Sequence, residues 1–294
     1  MSAGAPTRFG ARRAVLALAL ALLAPVLGGC GGNETPSEPP AQLLRAAAED
    51  PPASGRAEIE LHASLAGDSL LAGDAGLRLE GPFELGSPGE PPRFDFEMDA
   101  EVAGFGVDGQ LVSIGDDAFV GFFGENYRVG AERFGEVEQR LRSAADRGEG
   151  VDLDPILWLE QPRYAGEDEV AGTAAERIEA GVRGDLGARD LAAFASAFGL
   201  PGLEGLRGAG GGSAEVWVAY DDRTIRRLRL EFPFAVPAEL RALARGISGG
   251  SVTLDAEVSD VGAEVEIEPP AGGGFQPIEQ LLRRLGDLAS LGGL

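Results

Sequence analysis

Three observations predict an α+β fold built on one large, curved, mostly antiparallel β-sheet, a half-barrel whose concave apolar face is covered by helices. Apolar and polar residues alternate with a period of two through much of the chain, which gives each strand one dry and one wet face. The gaps between these segments are short and hold Gly, Asp or Pro, as antiparallel hairpins require. Helical stretches with a single apolar stripe stand between the strands, and their natural partner is the dry side of the sheet.

The first 30 residues are an address rather than structure. Arg8, Arg12 and Arg13 precede an 11-residue apolar run, Ala14 to Ala24. That run is too short to cross a bilayer as a helix, which takes roughly 20 residues. It ends in Leu27-Gly28-Gly29-Cys30, small residues leading into the only cysteine. This is the arrangement of a bacterial lipobox: cleavage between Gly29 and Cys30, with diacylglycerol carried on the Cys30 thiol. Residues 1–29 are then the signal peptide. Residues 30–40 are the lipidated cysteine and a disordered tether, and 41–294 are one domain, held at the outer face of the cell membrane by its acyl chains. Arg12-Arg13 leaves Sec and twin-arginine export both open.

Along the domain, Leu43, Leu44 and Ala47 mark a short first helix. Strand alternation follows in 57–65, 77–85, 93–102, 105–114, 118–123, 175–182, 215–220, 227–232, 252–259 and 264–268. Its clearest instance sets Phe94, Phe96, Met98, Ala100 and Val102 against Asp95, Glu97, Asp99 and Glu101. Helical stripes occur in 131–147 (Phe134, Val137, Leu141, Ala144) and 188–198 (Leu191, Phe194, Phe198). Others are a short helix opened by Pro237 and a last one opened by Pro277 with Ile278, Leu281, Leu282, Leu285 and Leu288. The run 201–212 is so rich in glycine that it reads as a mobile loop.

Composition narrows the chemistry. The 294 residues carry 25 basic groups, all arginine, against 48 acidic ones, for a net charge of −23, or −26 without residues 1–29. Such a surface repels nucleic acid. One Cys and one His exclude an intrachain disulfide and the commoner zinc sites, so neither metal nor cofactor is expected. His62 stands in a wet row with Glu58, Glu60 and Ser64 and reads as a bystander. The carboxylates repeat at strand period on that wet face, as solvation requires, so no catalytic residue is assigned and the chain is not read as an enzyme.

Three stretches resemble the LppX/LprAFG family of mycobacterial lipoproteins, which is related in fold to LolA/LolB-type half-barrel carriers. They are Val170-Ala171-Gly172 with Ile178, Gly181 and Val182; Glu215-Val216-Trp217-Val218 through Asp221-Asp222 to Ile225-Arg226-Arg227; and Val265 to Pro270. Arg223 stands where that family has Gly, and Ala219 where it has Asp, which puts the turn type in question. The resemblance implies a membrane-anchored lipoprotein, acting as a monomer, that binds and transfers lipid or lipoglycan in an apolar cavity. Its walls are expected to come from Phe94, Phe96, Met98 and Val102, with Phe119 and Phe123 as a second pair. A sheet of nine or ten strands is roughly 40 Å wide or more, and each helix covers about 10 Å of it. Five or six short helices therefore leave two outcomes open: an apolar hollow, or a filled interior belonging to a cavity-less binding or sensor module.

Overall fold

The computed structural model describes residues 38–68, 72–86, 90–102, 104–133, 135, 155–197, 206–242, 244, 246–272 and 274–291. The expected signal segment and Cys30 lie outside them, as does most of the helix expected over 131–147. Of that stretch, 131–133 and 135 are helical.

The chain opens with α1 (Pro40–Glu49). Pro40 stands at its first turn, where a missing N–H costs nothing, and the Pro39 carbonyl accepts from the N–H groups of Gln42 and Leu43. Leu43, Leu44 and Ala47 are buried, one turn of apolar stripe facing the sheet.

Six strands follow: β1 (Ser54–Gly67), β2 (Gly73–Glu84), β3 (Arg93–Val102), β4 (Phe105–Ile114), β5 (Ala118–Phe122) and β6 (Glu125–Arg128). After a 3₁₀ turn (Pro155–Trp158) come β7 (Leu159–Val170), β8 (Thr173–Arg183) and α2 (Gly184–Ala197). The rest are β9 (Arg207–Gly208), β10 (Gly211–Ala219), β11 (Ile225–Ala235), β12 (Ile247–Ser259), β13 (Gln276–Pro277) and α3 (Ile278–Leu291). They form one open, curved sheet in the order β13-β6-β5-β4-β3-β2-β1-β12-β11-β10-β8-β7, with β9 attached to β11. Every pairing is antiparallel except β13 with β6.

Four expectations are corrected. The 201–212 run is not simply a loop, because Arg207–Gly208 pair with β11 and β10 already starts at Gly211. Gly208 and Gly212 serve close approach: a Cβ on Gly212 would stand 2.0 Å from the Glu231 carbonyl oxygen. The segment opened by Pro237 is only a 3₁₀ turn (Ala238–Leu240). Residues 264–268 are extended but join no strand ladder; they cross the sheet's other face, where Arg93 donates to the Ile267 carbonyl at 2.8 Å. Finally, β7 was unforeseen. Pro162 and Gly166 break its alternation, and its pairing with β8 shifts register twice.

Candidate functional site

Register assigns every strand residue to a face. One face bears the helices: Ile59, Leu79, Phe96, Leu111 and Val120 share it across β1 to β5. Leu254, Leu230, Ala214 and Ala180 continue it across β12, β11, β10 and β8.

This face has two halves. Over β8, β10, β11 and β12 it is solid. Ile178, Val216, Leu228 and Leu230 have no accessible surface, and Phe232 meets the Trp158 ring edge-on at 6.1 Å. The lid over them includes α1, α2 and the 3₁₀ turn, pinned where Trp158 Nε1 donates to the Asp190 carboxylate at 2.8 Å. Over β1 to β5 the cover is incomplete: Ala57, Ile59, Phe83 and Phe96 are buried, whereas Leu61, Leu65, Leu77, Leu79, Leu111 and Phe122 each keep some accessible surface. The sequence makes both halves equally apolar; helix cover makes them different.

The expected lining residues divide accordingly. Phe94, Phe96 and Met98 fall on the helix-bearing face of β3, and Val102 holds the same register parity. Phe94 and Phe96 stack at 4.9 Å between ring centroids. Phe96 is buried in the main core, whereas Phe94 and Met98 are part-exposed. Phe119 is a correction: paired with Val112 and Arg128, it lies on the opposite face and packs against Val112, Ile267 and Phe275. Phe123 is a second correction, since it lies beyond the end of β5, in the turn before β6, at φ 54°. The β5 residues that do reach the helix-bearing face are Val120 and Phe122, packed with Tyr127, Ile278 and Leu281. Alternation alone cannot say which side of β5 is which. The usable signal is Val112 and Ile114, an apolar strip within a polar row that needs a cover of its own. The extended segment with Val265 and Ile267 supplies that cover.

At one end of the solid half the helix-bearing face turns polar. Glu167 of β7 stands opposite Glu176 of β8, and Glu176 is buried. Burial, with the Glu167 charge added, raises the Glu176 pKa above the usual carboxylate range. Loss of hydration and the same two carboxylates push the Tyr220 phenol up to about 12. Nearby, the Tyr164 hydroxyl donates to the Glu38 carbonyl at 2.7 Å, and Arg223 pairs with the Glu38 carboxylate. Arg223 adopts φ 58°, the left-handed conformation that glycine would supply, so this turn survives without its glycine. Asp222 holds it by accepting from the Thr224 N–H at 3.0 Å and hydroxyl at 2.7 Å.

The opposite face is a ladder of ion pairs rather than bare acid. Arg78 bridges Glu58 and Glu80, each at 2.7 Å, and Arg227 meets Asp255 at 2.8 Å while lying over the Trp217 ring. Exposed pairs of this kind each contribute about 0–1 kcal/mol, so they solvate the face more than they stabilise it. His62 lies here too, exposed and 3.5 Å from Asp74. An open groove of about 800 Å³ runs beside Arg93, Ile114 and the 264–269 segment. Among the described residues, no cluster of three His, Cys, Asp or Glu could hold a metal ion.

No family model matches the chain, and no curated protein matches it. Among solved structures it is similar to LprF from Mycobacterium bovis, at 15% identity over 82% of this chain and 100% of that one, with a TM-score of 0.43. It is also similar to the Mycobacterium tuberculosis lipoprotein LppX, at 15% identity over 77% and 95%, with a TM-score of 0.38. For MucB the identity is 11% over 79% and 63%, with a TM-score of 0.31.

Proposed function

We propose that this protein is an envelope lipoprotein, anchored through Cys30, that holds lipid acyl chains against the helix-bearing face of β1 to β5. One observation carries the reading: that face is apolar like the sealed half of the sheet, yet beyond Ala57, Ile59, Phe83 and Phe96 its larger apolar side chains stay part-exposed. Water is a poor partner for such a surface. Each methylene transferred onto it contributes about 0.8 kcal/mol, so a chain of about a dozen methylenes offsets much of the cost of leaving a bilayer. Phe94 and Met98 form the accessible wall on β3, and Phe96 backs it from the core. The acyl chains have no polar group to be read, so selectivity between lipid and lipoglycan lies with whatever the headgroup meets at the rim.

The solid packing over β8 to β12 favours a second reading, a filled module that binds a partner without a lipid. One experiment separates the two. The native lipidated protein is purified from membranes, and the organic extract is examined by mass spectrometry beside that of a Phe94→Ser/Met98→Ser variant. The expected result is non-covalent lipid in the first and a several-fold loss in the second at unchanged secondary structure. An extract without lipid, together with no uptake of a fluorescent fatty acid, overturns the carrier reading.

A further inference from the structure

The segment 264–268, on the face of the sheet opposite the helices, is extended and held at both ends, yet pairs with no strand. Its start is fixed where the Gly262 N–H donates to the Ser54 carbonyl at 3.0 Å and the Ser54 hydroxyl donates to the Ala263 carbonyl at 2.7 Å. Val265 and Ile267 seat its apolar side on Val112 and Phe119. Arg93 fastens its end through the Ile267 carbonyl, and Pro269-Pro270 keep the chain from turning into a helix there.

Between these fixings the backbone is unused. Among the described residues, no N–H from Glu264 to Glu268 finds an acceptor, and Ile267 alone of these carbonyls finds a donor. Extended backbone with free N–H and C=O groups is a template for one more strand. The N–H and C=O of one strand residue point the same way, so Val265 and Ile267 turn theirs towards the side from which Arg93 reaches. The open groove of about 800 Å³ lies along this segment, with Arg93, Ile114 and Pro269 completing its wall. Pockets that hold ligands measure about 300–1,000 Å³, and five extended residues span roughly 17 Å.

The outer side of the segment sets the charge of what can lie there. Glu264, Glu266 and Glu268 alternate along it, all exposed. Glu58, Glu80 and Asp255 elsewhere on this face meet arginines. None of these three carboxylates has an ion pair among the described residues, and Arg93 goes to Glu84 at 2.7 Å instead. A second copy of a chain with net charge −23 would bring like charge to this row and be repelled. A strand with lysine or arginine at every second position brings a cation to each carboxylate.

We propose that the 264–268 segment and its groove form a strand-addition site for an extended, basic segment of a partner protein, with Lys or Arg alternating with apolar residues. The site lies on the face opposite the lipid-binding surface, so neither reading depends on the other.

The test uses the full lipidated chain in neutral detergent micelles and a fluorescein-labelled hexapeptide that alternates lysine with valine. Anisotropy should show saturable binding, and a hexapeptide alternating glutamate with valine should show none. The lysine peptide with every backbone nitrogen methylated keeps its charge and loses its strand donors; it should bind at least tenfold more weakly. Glu264→Gln/Glu266→Gln/Glu268→Gln, all at exposed positions, should weaken the unmethylated peptide about tenfold. Hydrogen exchange reads the backbone directly. The amides of 264–268 should exchange freely in the unbound protein and slow several-fold when the lysine peptide is added. Lack of saturable binding, equal binding of the methylated peptide, indifference to the glutamine substitutions, or binding without slower exchange at 264–268 overturns strand addition.

Discussion

The two halves of the helix-bearing face carry the same kind of residues at the same spacing and end in different states. Over β8 and β10 to β12 the apolar rows meet α1, α2 and Trp158, and solvent is excluded. Over β1 to β5 equivalent rows are buried at Ala57, Ile59, Phe83 and Phe96 and keep accessible surface at Leu61, Leu65, Leu77, Leu79, Phe94, Met98 and Leu111. Alternation specifies that a face is dry in principle; what covers it decides whether it becomes core or a binding surface. In this molecule one sheet carries both a sealed half and a part-covered one.

That contrast can be broken by truncation. Leu228→Ala removes a side chain with no accessible surface, and a denaturant titration should show a loss of about 3 to 4 kcal/mol. Phe94→Ala, although it deletes a larger group, should cost less, about 1 to 2 kcal/mol, because its part-exposed ring leaves a space open to solvent. Equal losses at the two sites would mean that the halves are packed alike.

A smaller effect is expected where backbones rather than side chains set the sealed half. Gly212→Ala forces a methyl group against the Glu231 carbonyl, and β10 and β11 must part. Thermal unfolding should report a destabilisation of about 1 to 3 kcal/mol. An unchanged melting temperature would return the 201–212 segment to the status of a simple loop.

The smallest effect depends on pH. The Glu176 pKa is raised, so the folded protein holds that proton more tightly than the unfolded chain. The stability this supplies is fully present below the ordinary glutamate range and is lost as pH rises through the raised value. Glu176→Gln keeps the neutral form at every pH. It should raise the melting temperature at pH 8 and bring little change at pH 4, while Glu179→Gln, on the ion-paired face, should not reproduce that gain. A gain independent of pH would place its cause elsewhere.

How much was legible follows from which interactions are local. Strand alternation located β1 to β4, β8 and β12 within a few residues, since the period of two is written in neighbouring side chains. β7 was not legible: Pro162 and Gly166 interrupt its pattern, and only pairing with β8 holds it extended. Parity puts Phe94, Phe96 and Met98 of β3 on one face, and the stacked rings of Phe94 and Phe96 share it. Phe119 escapes the sequence because parity within a five-residue strand has no absolute sense until β4 supplies the register, and Phe123 because β5 ends one residue before it. The 264–268 segment alternates like a strand yet pairs with none, because its apolar side answers Val112 and Phe119 on the far face.

From the chain alone came the period of its strands, the wet acidic rows, the apolar stripes of the helices and the lone cysteine after a short apolar run, all properties of residues near one another in sequence. Tertiary structure alone decided which apolar rows are sealed, which face Phe119 takes, and that Phe123 lies in a turn rather than in β5. Those depend on pairings between residues far apart along the chain, and a period of two repeats identically whichever side of the sheet is turned to the helices.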